Sequence, residues 1–320
     1  MGITTASGYT NTHRTGAIAV VTGSSLWGLF WIPLRYMESL GINALWALAF
    51  VMAAALIPSL IMMRLRGNLT DLEQLETVRS GFVLGLATTL YFIALMYTDV
   101  IRVIFLFYLL PLWTTLAARL IYGEPINASR LLIMFIAFSG LWLLLSEGDG
   151  FPVPQSVGDW CAIASGVFWG ISLSLLRADG QSCAYSRTLV AIASAAFLSL
   201  LAILFLQFTD NVLPSQATSF IVEDTTAQNR TSLIAVVAIV FGIFALYPAM
   251  IAQIWGASQI PAPTSALLTM SEIIVAIGSA AILIGTDMPP LAIVGGCIII
   301  LALCLDIFLQ LSSVTKKCSA

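Results

Sequence analysis

Ten apolar stretches restrict this chain's fold more than any other feature, because most approach the ~20 residues that a helix needs to cross a ~30 Å hydrocarbon layer. They run from Gly16 to Leu34, Ala44 to Met63, Ser80 to Tyr97, Val103 to Tyr122 and Leu131 to Leu145, then from Trp160 to Leu176, Leu189 to Phe208, Ser232 to Ile254, Ala262 to Ile284 and Leu291 to Leu311. None alternates apolar and polar residues as a barrel strand does, so each reads as a helix that closes its own backbone hydrogen bonds. With 59% hydrophobic residues, 9% charged residues and a mean hydropathy of +0.99, the chain has too little polar surface for a water-soluble domain, and lipid is its solvent. The fold class is all-α integral membrane with ten transmembrane helices. Arg14 precedes the first stretch as in a secretory signal. That stretch is too long for one, and no small-residue cleavage site follows Trp31-Ile32-Pro33, so it reads as a retained span.

Ser25-Leu26-Trp27-Gly28 followed by Arg35 has a second copy in Val167-Phe168-Trp169-Gly170 followed by Arg177, with Trp, Gly and Arg each 142 positions later. Five spans, the first copy's own included, precede the second copy, so it enters the membrane from the opposite side. That is the pattern of two inverted five-helix repeats, which points to a carrier. The repeats run over residues 16–146 and 157–311 of a single transporter domain spanning 1–320. Gly123-Glu124 set against Gly285 gives an offset of 162, and the stretch from Thr209 to Thr231 supplies the extra residues as an outer loop. The connections on one face collect ten Lys and Arg, from Arg14 to Lys316 and Lys317, against Arg35, Arg102 and Arg230 on the other. The positive-inside bias then places both termini in the cytoplasm.

Several classes fall away. A net charge of −3 without a basic run leaves no place for nucleic acid. The five cysteines form no Cys-x-x-Cys, so they read as buried thiols rather than a metal site. A membrane enzyme would need clustered His, Asp or Glu, yet the one histidine, His13, stands near the N-terminus, so no catalytic residue is assigned. No cofactor is called for. Three Asn-x-Ser/Thr matches, at Asn68, Asn127 and Asn229, are too short to carry weight.

The two five-helix units, Ala94-Leu95 with Thr98, Leu110-Pro111, Gly123-Glu124, and Glu272 before a run of small residues resemble the EamA units of the drug/metabolite transporter superfamily. The resemblance covers nearly the whole chain. Tyr108-Leu109-Leu110-Pro111 and the aromatic helices one, three and six are most similar to the aromatic amino-acid exporters of bacteria. This implies a multi-pass protein of the bacterial cytoplasmic (inner) membrane whose central cavity is lined mainly by helices one, three, four, six, eight and nine. Helices five and ten then lie at the periphery. The family follows this glutamate with proline, but here Ile273 stands, so Pro111 is the stronger candidate for a helix break.

The residues themselves supply candidates for the wall of such a cavity. Thr88, Tyr91, Leu95 and Thr98 share one face of helix three, and Phe105, Tyr108 and Thr115 share a comparable face of helix four. Helix one offers Ser24, Trp27 and Trp31, and helix six offers Ser165, Trp169 and Ser172. Trp46, Trp142, Trp160 and Trp255 lie near span ends and read as interface belt. Trp27, Tyr91, Tyr108, Trp169 and Tyr247 lie deeper, where a lipid-facing donor would go unsatisfied, so each reads either as core or as cavity lining. Glu272 is the one ionisable residue near mid-span, where a carboxylate costs about 3 kcal/mol or more, and it reads equally as a functional acid or as a helix-end fastener. Asp99, Arg102 and Asp306 near span ends read as snorkelling or paired charges. Pro111 and Pro248 lie next to deep aromatics and are the candidate hinges, whereas Pro33 and Pro58 shape helix ends. The runs Ala53-Ala54-Ala55, Ser139-Gly140, Gly278 to Ala281 and Gly295-Gly296 are read as close-packing faces.

No Lys lies within a span, which argues against phosphorylated substrates. A neutral or zwitterionic substrate fits better, and the expected ligand is an aromatic or other neutral amino acid held by Trp27, Thr88, Tyr91, Phe105, Tyr108, Trp169, Tyr247 and Glu272. The alternative is a lipophilic organic cation in the same aromatic box. The expected partners are this small molecule and membrane lipid, with the protein as a monomer.

Overall fold

The computed structural model describes residues 6–67, 69–145, 153–179, 183–208, 225–285 and 289–319. Fourteen helices account for ten spans long and apolar enough to cross a membrane, and no strand occurs among the described residues. Spans one, four, eight and nine are each interrupted. Span one is α1 (Ala6–Trp27) and α2 (Trp31–Ser39), followed by α3 (Ala44–Arg66) and α4 (Leu75–Tyr97). Span four is α5 (Val100–Phe107) and α6 (Leu110–Tyr122), and α7 (Ala128–Leu145), α8 (Val157–Ala178) and α9 (Ala184–Phe208) follow it. Span eight joins α10 (Thr225–Phe241) to α11 (Tyr247–Gln259) through a π turn, span nine is α12 (Ala262–Thr269) and α13 (Ser271–Ile284), and α14 (Pro290–Ser319) closes the chain. Most of the stretch expected as an outer loop, residues 209–224, lies outside the described residues, and α10 already begins at Thr225.

Each interruption has a local cause. In span four Tyr108 and Leu109 leave the helix just before Pro111, whose ring would clash with the Phe107 carbonyl and whose nitrogen has no proton to give it. The Phe107 carbonyl oxygen instead abuts Gly166 of α8, where a Cβ would stand 2.7 Å away. In span one, Leu29 and Phe30 tighten to i−3 hydrogen bonds ahead of Pro33. In span eight, the turn from Gly242 to Leu246 widens so that Tyr247 N–H reaches the Gly242 carbonyl, which makes room for the Pro248 ring.

Span nine breaks as well, although Ile273 stands where a proline was looked for. Met270 takes ψ −13° and donates to Leu267 at i−3. The Thr269 hydroxyl takes the Ser265 carbonyl at 2.9 Å, a side-chain competition for backbone that bends helices.

Helix pairing is orderly. α1 packs along α11, α4 along α8 and α9, α3 along α9, and α7 along α14. Spans five and ten meet at the edge through Gly140 and Gly295, where a Cβ on Gly295 would come within 2.5 Å of the Gly140 oxygen. Gly278 departs from the packing expected of its small-residue run, since a Cβ there meets nothing within 4 Å. α4 and α8 are fastened by Ser165 and Ser172 hydroxyls donating to the Ala87 and Ser80 carbonyls at 2.7 and 3.1 Å. Gln253 Nε2 donates to Ser24 Oγ at 2.8 Å between α11 and α1.

Two acidic residues near span ends are buried, one of them, Asp306, read from the sequence as snorkelling or paired. Asp159 is fully buried at the start of α8, and Asp306 is 3% exposed on α14 beside Thr264. Arg187, counted among the connection charges, is also fully buried and caps α8 by donating to the Leu176 and Asp179 carbonyls.

Candidate functional site

The interruptions of spans one, four and nine lie around one cavity of about 380 Å³. It is walled by Trp27, Phe30 and Trp31 of span one, Tyr91 and Phe92 of α4, Tyr108 of span four, and Glu272, Ala276 and Ile277 of α13. Leu34, Arg35 and Glu38 on α2 and Val100 on α5 form its mouth. Ten crossings put both termini on one face, and the mouth lies on the other. Toward the terminal face the space is filled: every residue of α12 is buried, and α12 packs on α6, α8 and α1.

An edge-to-face aromatic layer forms the floor. Trp27 meets Trp169 with ring centres 6.3 Å apart at 76°, Trp169 meets Phe107 at 5.6 Å, and Phe107 meets Tyr91 and Tyr108 at 5.0 Å each. A void of about 20 Å³ lies against this layer between Trp27, Thr88, Tyr91, Trp169 and Glu272. Glu272 therefore borders both the open cavity and the void. Its carboxylate lies beside Tyr108 and makes no ion pair among the described residues. The Trp27 indole N–H is buried and reaches no acceptor within hydrogen-bonding distance. Buried donors left open in this way are a feature of sites that take a ligand or water.

The close approach of span one to span nine depends on glycine. A Cβ on Gly28 would stand 2.4 Å from the Glu272 carbonyl oxygen, so only glycine lets the end of α1 lie against the first turn of α13. Gly170 does the same on the other side, where a Cβ would come 2.8 Å from the Thr114 nitrogen in α6.

The residues picked out from sequence divide into three groups. Trp27, Tyr91, Tyr108 and Glu272 stand together on the cavity wall, and Thr88 and Trp169 lie at the void below. Phe105 and Tyr247 do not line the cavity. Val100, Ile104 and Tyr108 make the cavity-facing stripe of span four at intervals of four, and Phe105, one residue round from Ile104, packs edge-on against Trp142 of α7 at 5.8 Å. Thr115, read as sharing that face, also points away, donating to the Pro111 carbonyl at 2.7 Å with Met134 beside it. Tyr247 is buried beyond the π turn of span eight, which adds no residue to the cavity. The Thr88 hydroxyl is spent on the Leu84 carbonyl at 2.9 Å. Ser24, Ser165 and Ser172 fasten helices instead of facing a solute, although their spacing is that of lining residues.

The cavity has two features that the sequence reading left aside. Phe30 and Phe92 close one wall edge-on at 5.3 Å. At its outer edge, α5 is tethered through Asp159, which accepts from Arg102 at 2.7 and 3.2 Å, from Thr98 Oγ1 at 2.8 Å and from the Gln155 and Ser156 amides at 2.9 and 3.1 Å. Asp159 stands three residues after Ser156, and the spacing of a capping box was the available signal for it.

Residues 14–146 match the sequence model of the EamA-like transporter family. No curated protein matches the chain. One solved crystal structure superimposes over 93% of this chain and 98% of its own length, with a TM-score of 0.68 at 17% identity. That likeness extends the shared architecture across both halves and speaks for fold alone. Over residues 14–146, then, the chain is similar to the EamA-like transporter family, and its ten spans are those of a multi-pass membrane protein.

Proposed function

We propose that this protein is a carrier that exports amino acids, aromatic and other neutral ones, across the bacterial inner membrane by alternating access. The observation that carries the reading is a single carboxylate, Glu272, at the base of a cavity walled by Trp27, Trp31, Tyr91 and Tyr108. An ammonium group sits favourably against that carboxylate and the faces of the rings, while an apolar or aromatic side chain fills the rest of the wall. Arg35 at the mouth offers a partner for a carboxylate. The same box favours one second reading, a lipophilic organic cation, which needs Glu272 and the rings but not Arg35.

In this reading the cytoplasmic termini make the observed cavity the outward-open state, with the aromatic layer and α12 closing the inner half. Glu272 borders both the cavity and the void beneath, so a solute held there passes from one access side to the other as the half-helices of spans four and nine tilt. Pro111 and Pro248 are the hinges. Two features support the inverted repeat: α1 pairs with α11 as α4 pairs with α8, and the glycines of both Trp-Gly copies receive the second half of a broken helix.

The test is uptake of labelled phenylalanine, tryptophan and threonine into liposomes containing the purified protein, with unlabelled amino acid inside. Saturable, trans-stimulated flux whose KM rises by about tenfold or more in Glu272→Gln supports the amino-acid reading. Flux of an organic cation alone, unchanged in Arg35→Ala, replaces it with the second.

A further inference from the structure

A second cavity, of about 360 Å³, lies on the terminal face between α1, the start of α12 and α14, and shares no lining residue with the central one. Its walls are Ala17, Ile18 and Val21 on one side and Ile260, Pro261 and Ile307 on the other. Ile18 is 56% exposed, so the groove opens sideways to the bilayer rather than toward the transport path. The groove follows from how α1 is held. Gly16 and Gly23 press against α11, where a Cβ on Gly16 would meet Gln259 at 2.8 Å and one on Gly23 the Ala249 oxygen at 2.7 Å. That close approach draws α1 toward span eight and leaves its opposite face, at Arg14, Ala17, Ile18 and Val21, with a trench beside span ten.

The end of the trench is basic. His13 and Arg14 line it, and Arg14 is exposed with no ion pair among the described residues. An apolar slot ending in a guanidinium on the face that collects the chain's Lys and Arg is complementary to an acyl chain bearing an anionic headgroup. We infer that this groove is a binding site for one anionic phospholipid of the terminal-face leaflet, its chain along Ala17, Ile18 and Ile307 and its phosphate on Arg14. The occupant lies beside α12, which fills the terminal-face half of the molecule.

The test is native mass spectrometry of the purified full chain titrated with phosphatidylglycerol or phosphatidylcholine. One phosphatidylglycerol is expected to remain bound at least tenfold more tightly than phosphatidylcholine. Arg14→Glu and Ala17→Phe are expected to abolish that difference, and Arg66→Glu, which reverses an exposed charge on the same face, to keep it. Ile307→Phe fills the same groove from α14 and replaces Ala17→Phe if that variant melts early. Equal retention of both lipids, equal loss in Arg66→Glu and Arg14→Glu, or retention in both groove-filling variants overturns the proposal. So does displacement of the bound mass by glycerol phosphate at the lipid's concentration, which assigns the groove to a free phosphate.

Discussion

Gly28 and Glu272 meet where spans one and nine are both interrupted, and their contact leaves no space for even one methyl group. Gly28→Ala is expected to lower transport by about tenfold or more, because the end of α1 must then leave the first turn of α13. Gly278→Ala faces open space and is expected to leave flux unchanged, so the pair, read in liposomes at matched protein levels, separates local fit from the general effect of losing a glycine. At the same scale Glu272→Gln is expected to raise the KM for ammonium-bearing substrates by about tenfold or more, as loss of a charged partner does. Phe105→Leu is expected to leave KM unaltered, since that ring packs on Trp142 outside the cavity. The aromatic residues were recognisable in the sequence by type and depth. Which of them faces the solute was not, because a helix that turns aside at Tyr108 no longer carries one face along its whole length.

At the scale of elements, the breaks in spans four and eight are written in proline and the break in span nine is not. Pro111→Ala restores an N–H that can reach the Phe107 carbonyl and is expected to slow transport several-fold with little change in protein level. Equal losses in both would remove the hinge from the account. The tether of α5 makes a different demand, because Asp159 is buried and accepts from a guanidinium, a hydroxyl and two backbone amides. Asp159→Ala is expected to lower the melting temperature more than Arg79→Ala, whose ion pair with Asp179 has its arginine 43% exposed. Exchanging the pair, as Arg102→Asp with Asp159→Arg, is expected not to restore it, since arginine cannot accept the Thr98, Gln155 and Ser156 donors. Serine and threonine spacing misled for a related reason: in a membrane these hydroxyls serve backbone carbonyls of their own or neighbouring helices as readily as they face a solute.

For the whole molecule, the cavity opens opposite the termini and the half toward the termini is packed shut. In a cysteine-free background, Ile104→Cys is expected to react with a membrane-impermeant maleimide from the side opposite the termini, and bound substrate is expected to slow that reaction. Thr264→Cys, 3% exposed in α12, is expected to stay protected from that side. Labelling of both from one side would show an open channel rather than a carrier, with either orientation read against a tag at the C-terminus.

The sequence by itself determined the ten spans, the helical class and the Trp-Gly positions, because backbone groups in lipid leave a long apolar segment one solution, the helix. Its repeated Trp-Gly pattern also marked the level at which spans one and six meet the broken helices. Only the tertiary structure decided that span nine breaks at Met270, that Asp159 and Asp306 are buried, and that Phe105 and Tyr247 stand away from the cavity. The physical reason is that a span's apolar surface is satisfied equally by lipid, a neighbouring helix or a cavity. Composition and spacing fix depth, and only packing fixes which of the three each face meets.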